Sequence, residues 1–134
     1  LYGLHKTVGF TVLALILLRI AWHLISPPPP PLGPRDLLFR AARAAHWAIY
    51  LLLIAIPLTG WAGSSATGID VMFADRWVIP PIVDASEEAE AFWFGLHDIL
   101  TKLLMALIAV HILGALKRQA KGDGTLTRMI RGRV

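Results

Sequence analysis

The chain has 134 residues, room for one domain, of which 56% are hydrophobic and only 16% charged. A water-soluble domain carries about a quarter charged residues, so this balance, with a mean hydropathy of +0.62, argues for a lipid rather than an aqueous surround. Cysteine is absent, which removes disulfides and thiolate metal sites.

Three apolar stretches follow one another, Thr7–Ile25, His46–Trp61 and Ile99–Leu116. A bilayer core needs about 20 apolar residues in a helix, with a lower limit near 17. The first and third stretches meet this alone, and the second does so once Ala41–Ala45 extends it. Membrane spans are therefore expected at about 5–25, 42–62 and 92–117, joined by a loop at 63–91 and followed by a tail at 118–134. The expected fold is an all-α transmembrane bundle forming a single domain. Leu1 is preceded by no Met and followed by no charged leader, so the start reads as a cut end rather than a signal peptide.

The first span ends at Ser26-Pro27-Pro28-Pro29-Pro30-Pro31, because proline lacks the N–H that a helix needs and forces its predecessor into extended geometry. Such a run is a short, stiff polyproline spacer. Pro57 falls inside the second span and is expected to kink it. Gly63-Ser64-Ser65-Ala66-Thr67-Gly68 reads as a flexible exit, and 84–91 as a short surface helix in an acidic loop. Trp47, Trp61, Trp77 and Trp93 fall near span ends, as interfacial tryptophans do.

Charge orients the spans. The first connection holds Arg35, Arg40 and Arg43, and the tail holds Lys117, Arg118, Lys121, Arg128, Arg131 and Arg133, whereas 62–96 has Arg76 as its one basic residue against six acids. Lys and Arg stay in short cytoplasmic loops, so residues 26–45 and the C-terminus are expected inside, with Leu1 and 62–96 outside. The basic tail beside a span is a topology anchor on the lipid surface; nucleic acid is not an expected partner.

An intramembrane histidine marks function because an unpaired polar group in hydrocarbon is costly. His97 and His111 are 14 residues apart, which on a helix brings them within about 40° of one face and separates them by about 21 Å. Two ligands on one face, one near each leaflet, suit two stacked haems that carry electrons across the bilayer. His5 opens the first span at the depth where His97 opens the third, so both can ligate one iron from opposite sides; bis-imidazole ligation favours electron transfer over oxygen chemistry. Gly9, one turn from His5, lets a porphyrin approach, as Gly114 does near His111. Arg19 faces the inner site, either to pair with a haem propionate or to snorkel to the interface. For His111 the candidate partners are His46, otherwise a hydrogen-bonding interfacial histidine, and His23, which reads better as a wet boundary residue.

Several motifs run along the whole chain: His5-Lys6-Thr7-Val8-Gly9 with Leu18-Arg19, the proline run, His46-Trp47-Ala48-Ile49-Tyr50 through Pro57-Leu58-Thr59-Gly60-Trp61, Leu96-His97-Asp98, His111-Ile112-Leu113-Gly114, and Asp123-Gly124-Thr125-Leu126. With these the sequence resembles the bacterial cytochrome b561 family, akin to the b-type cytochrome subunits of nickel–iron hydrogenases. The resemblance implies a four-helix bundle in the bacterial inner membrane with two haems b and quinone as substrate, of which this chain holds the last three helices. It implies His5 and His97 as ligands of the outer haem. His111 becomes one ligand of the inner haem, the other coming from the first helix unless His46 substitutes. Some members carry a histidine pair after the lysine at 117, where this chain has Arg118 and Gln119, so no quinone or proton role transfers there.

Three functions are compatible with these residues. A b-type cytochrome passes electrons between a quinone pool and a redox partner protein. A superoxide oxidase, an activity of some relatives, passes them from superoxide to quinone; the acidic loop disfavours steering of an anion to that face. A non-redox accessory subunit uses its histidines for hydrogen bonds alone.

Overall fold

The computed structural model describes residues 1–31, 33–122 and 124–131. Asp123 of the tail motif and Arg133 of the basic tail lie outside the described residues. Three long helices dominate, α1 (Tyr2–Ile25), α2 (Leu37–Ala66) and α3 (Glu87–Ala120). All three are long and apolar enough to cross a membrane, with windows of mean hydropathy 2.1, 1.6 and 2.2. A hairpin of β1 (Val71–Phe73) and β2 (Trp77–Ile79) lies between α2 and α3 in the chain, and a short α4 (Thr125–Arg131) follows α3. The two ends of the bundle are called here the hairpin end and the tail end.

Helix limits follow local chemistry. Ser26 is extended where the proline run begins and stops α1. Asp36 caps α2 by accepting the Phe39 N–H at 2.9 Å, and Ser86 caps α3 by accepting the Ala89 N–H at 3.3 Å. Glu87, Glu88 and Glu90 occupy the first turn of α3, and Lys117 and Arg118 its last, signs that suit the helix dipole. These acids therefore begin the long helix, and the surface helix expected at 84–91 does not form separately.

α2 is the spine. α1 and α3 each pack on it and, among the described residues, not on each other. Its second half is the buried part: Thr59, Ala62, Gly63, Ser64, Ser65 and Ala66 are all enclosed. Small residues let apolar helices approach closely in lipid, where no hydrophobic force drives them together. A Cβ on Gly63 would lie 2.7 Å from the Phe94 ring, so α2 and α3 meet there only because 63 is glycine. The flexible exit expected at 63–68 is thus in its first half a packed helix end. Long side chains such as Leu15, Leu17, Leu18, Met105 and Leu113 point outward, as lipid-facing groups do.

The linker folds back over that helix end. Ser65 Oγ accepts the Ile82 N–H at 3.3 Å, the Trp61 indole donates to the Pro80 carbonyl at 3.0 Å, and Ser86 N–H donates to the Ala66 carbonyl at 3.0 Å. Strands pair antiparallel with Phe73 opposite Trp77. The turn places Ala74 and Asp75 at φ 53° and 52°, the left-handed pair of a type I′ turn without its usual glycine. Docking holds it: Ala74 N–H donates to Thr7 Oγ1 of α1 at 2.8 Å.

Candidate functional site

Because α1 and α3 stand apart on the spine, a cavity of ≈ 710 Å³ opens between them at the hairpin end. Cofactor and ligand sites run from roughly 300 to 1,000 Å³. His5 of α1 and His97 of α3 line it from opposite sides, with α2 contributing Ile56, Pro57 and Gly60. The two imidazole centroids are 6.2 Å apart with their planes at 82°.

That separation is informative. A metal–imidazole bond is about 2.0 Å and the ring centre lies about 1.1 Å further, so two imidazoles bracketing one ion need centroids about 6.3 Å apart. The His5–His97 centroid separation matches this distance. The His5 ring makes no hydrogen bond to any described residue.

His97 is oriented from behind. Its Nδ1 donates to the Ile56 carbonyl at 2.8 Å and lies 3.2 Å from Thr59 Oγ1. Thr59 spends its own proton on the same carbonyl at 2.9 Å, so its oxygen is an acceptor toward the ring. The proton therefore sits on Nδ1 and Nε2 keeps its lone pair, the arrangement by which a carbonyl behind a ligating histidine selects the tautomer. A Cβ on Gly60 would come within 3.0 Å of His97 Cε1; only glycine leaves space for the ring against α2. Gly9 lines the cavity one turn after His5, and a Cβ there would meet no protein atom within 4 Å.

This donor set fits haem. Two imidazoles across an apolar cavity are the donor set that a haem would need from the protein, since a porphyrin supplies the other iron ligands itself. The cavity is otherwise almost wholly apolar.

At the tail end His46 of α2 and His111 of α3 also come together, but with centroids 4.9 Å apart at 64°. This edge contact is about 1.4 Å short of the bracketing distance above, so the pair as placed does not fit a shared iron. Arg19 is elsewhere: its Nε donates to the Tyr50 hydroxyl at 2.8 Å, which lies 3.3 Å from His23 Nε2. Arg19, Tyr50 and His23 thus form a polar chain joining α1 to α2, and His23 is half-buried in it rather than simply wet. Sequence reasoning missed Thr59, Gly60 and the Ile56 carbonyl as supports of His97; the signal was a threonine and a glycine two and three residues after a proline inside an apolar span.

The sequence pattern of the prokaryotic cytochrome b561 family matches residues 1–132. The chain is 37% identical over 130 residues to "Cytochrome b561 homolog 2" of Escherichia coli (strain K12), covering 95% of this chain and 69% of that protein. It is 30% identical over 129 residues to "Probable superoxide oxidase CybB" of Yersinia pestis, covering 95% of this chain and 73% of that one.

Proposed function

Since this chain belongs to the prokaryotic cytochrome b561 family of membrane b-type cytochromes, we propose that it passes electrons between a quinone pool and a redox partner by way of a haem b held between His5 and His97. The observation that carries this reading is the 6.2 Å spacing of the two imidazoles across the cavity. Bound there, the iron supplies one-electron oxidation and reduction. His5 and His97 would hold that group through two imidazole nitrogens, a donor set that suits outer-sphere electron transfer rather than oxygen chemistry. Ile56 and Thr59 hold the His97 ring in one tautomer, and the cavity walls around it are mostly apolar.

His111 is the proposed ligand of a second haem b toward the tail end. Its opposing ligand is a residue other than His46, unless α2 and α3 separate by the distance that pair lacks. The basic content of 26–45 and the tail supports a reading with the C-terminus in the bacterial cytoplasm and the hairpin end on the far face of the inner membrane. A second reading, electron transfer from superoxide to quinone, is favoured by the likeness to the Yersinia pestis protein.

The test is a reduced-minus-oxidised spectrum of the purified protein, with His5→Ala and His97→Ala beside it. The reading requires a haem b α band and its loss or reduction in both variants. An unchanged band in both would overturn the assignment of these ligands. Superoxide-dependent haem reduction separates the two donors: its absence leaves the quinone and partner-protein reading in place and removes the superoxide one.

A further inference from the structure

A porphyrin of the b type brings two carboxylates with it, and the cavity has one feature that answers them. Among the described residues that line it, Lys6 is the single permanently charged side chain. It is half-buried, and no carboxylate of the described residues pairs with it; its ammonium lies 5.8 Å from the centroid of the Tyr2 ring. The one ion pair among those residues, Lys102 with Asp98, lies on an exposed part of α3. Other cations are committed or distant. Arg76 stacks on Trp77 at 5.2 Å, and Arg19 stands 13 residues along α1 from Lys6, about 20 Å at helical rise, where it is bonded to Tyr50.

A carboxylate held in an apolar wall at a membrane is costly without an opposite charge. Lys6 follows His5 directly, so the ligand that holds the iron and the cation rise from one turn of α1. We propose that Lys6 is a cofactor-positioning residue, whose ammonium pairs with a haem carboxylate at the His5–His97 site. The proposal rests on the haem assignment above and adds the counter-charge to it.

The experiment is a binding cycle on the full chain freed of haem. Wild type, Lys6→Met and Lys6→Arg are each titrated with haemin and with haemin dimethyl ester, whose carboxylates carry no charge, and affinity is read from the rise of the bis-imidazole Soret band. Lys6→Met is expected to weaken haemin binding on the order of tenfold, the size of one charge-assisted hydrogen bond. The ester should bind wild type and Lys6→Met alike, and Lys6→Arg should retain most of the haemin affinity. In the haemin-loaded proteins, Lys6→Met should also lower the midpoint potential, because a lost cation no longer favours the added electron.

Equal losses for haemin and its ester in Lys6→Met would show a packing role and overturn the proposal, as would full haemin affinity in that variant. A wild-type chain that takes up neither compound would overturn the haem assignment itself, and the role of Lys6 with it.

Discussion

His5 and His97 face each other across 6.2 Å of cavity, whereas His46 and His111 touch at 4.9 Å. Both pairs join two helices through imidazole, and both sit near the end of a span. What differs is the packing behind them. At the tail end the paired histidines come from α2 and α3, which pack directly on each other, so the rings close up. At the hairpin end they come from α1 and α3, which are held apart by the spine between them. A ligand pair needs a gap as much as it needs two donors, and the gap is a property of which helices touch.

Support differs as well. His97 is fixed by the Ile56 carbonyl, by Thr59 and by the space at Gly60, while neither His46 nor His111 makes a hydrogen bond to any described residue. Within the hairpin-end pair His97 is therefore preorganised, whereas His5, His46 and His111 have no such support from the described residues.

The most severe way to break this comparison is to remove a ligand. His97→Ala should abolish haem at the hairpin end, read as lost haem per protein in a pyridine haemochrome assay, while His46→Ala leaves that haem in place. Equal losses in the two variants would erase the distinction between the ends. Next in size, Gly60→Val should displace the His97 ring, costing about 1–3 kcal/mol by overpacking, and lower both haem retention and melting temperature. Its counterpart at the tail end, Gly114→Val, adds atoms to a position where a Cβ meets nothing within 4 Å and should leave the melting temperature nearly unchanged.

A smaller effect is expected from Thr59→Val, which removes one of the two acceptors behind His97 Nδ1. Metal affinity falls by about tenfold or somewhat more when such a partner is lost, measurable by haemin titration; a variant matching wild type would leave the Ile56 carbonyl as the sole support. The least effect belongs to Asp98→Asn beside His97. Its pair with Lys102 is 60% and 72% exposed, so the change should stay within about 0.5 kcal/mol in thermal melting and leave the haem band untouched.

Much of this was legible along the chain. The apolar stretches locate α1, α2 and α3, although α2 and α3 begin several residues before theirs because Asp36 and Ser86 cap from outside the apolar zone. The proline run ends α1 as proline chemistry requires. The β-hairpin escaped notice because its turn, Ala74-Asp75, lacks glycine and is held in the left-handed region by Thr7 of a distant helix. Ser64 and Ser65 read as loop residues by composition, yet they are buried, since small side chains serve equally well where helices meet closely.

Composition and spacing alone pointed to a helical membrane protein and to His5 and His97 lying at one end of it, because hydropathy and helical rise are local properties of the chain. Tertiary packing decided which histidine pair brackets an open space and which collapses into contact. It also chose the tautomer of His97, and among the described residues it left Lys6 as the one permanently charged side chain in the cavity wall. Those outcomes depend on the distance between helices remote in sequence, and no local pattern encodes that distance.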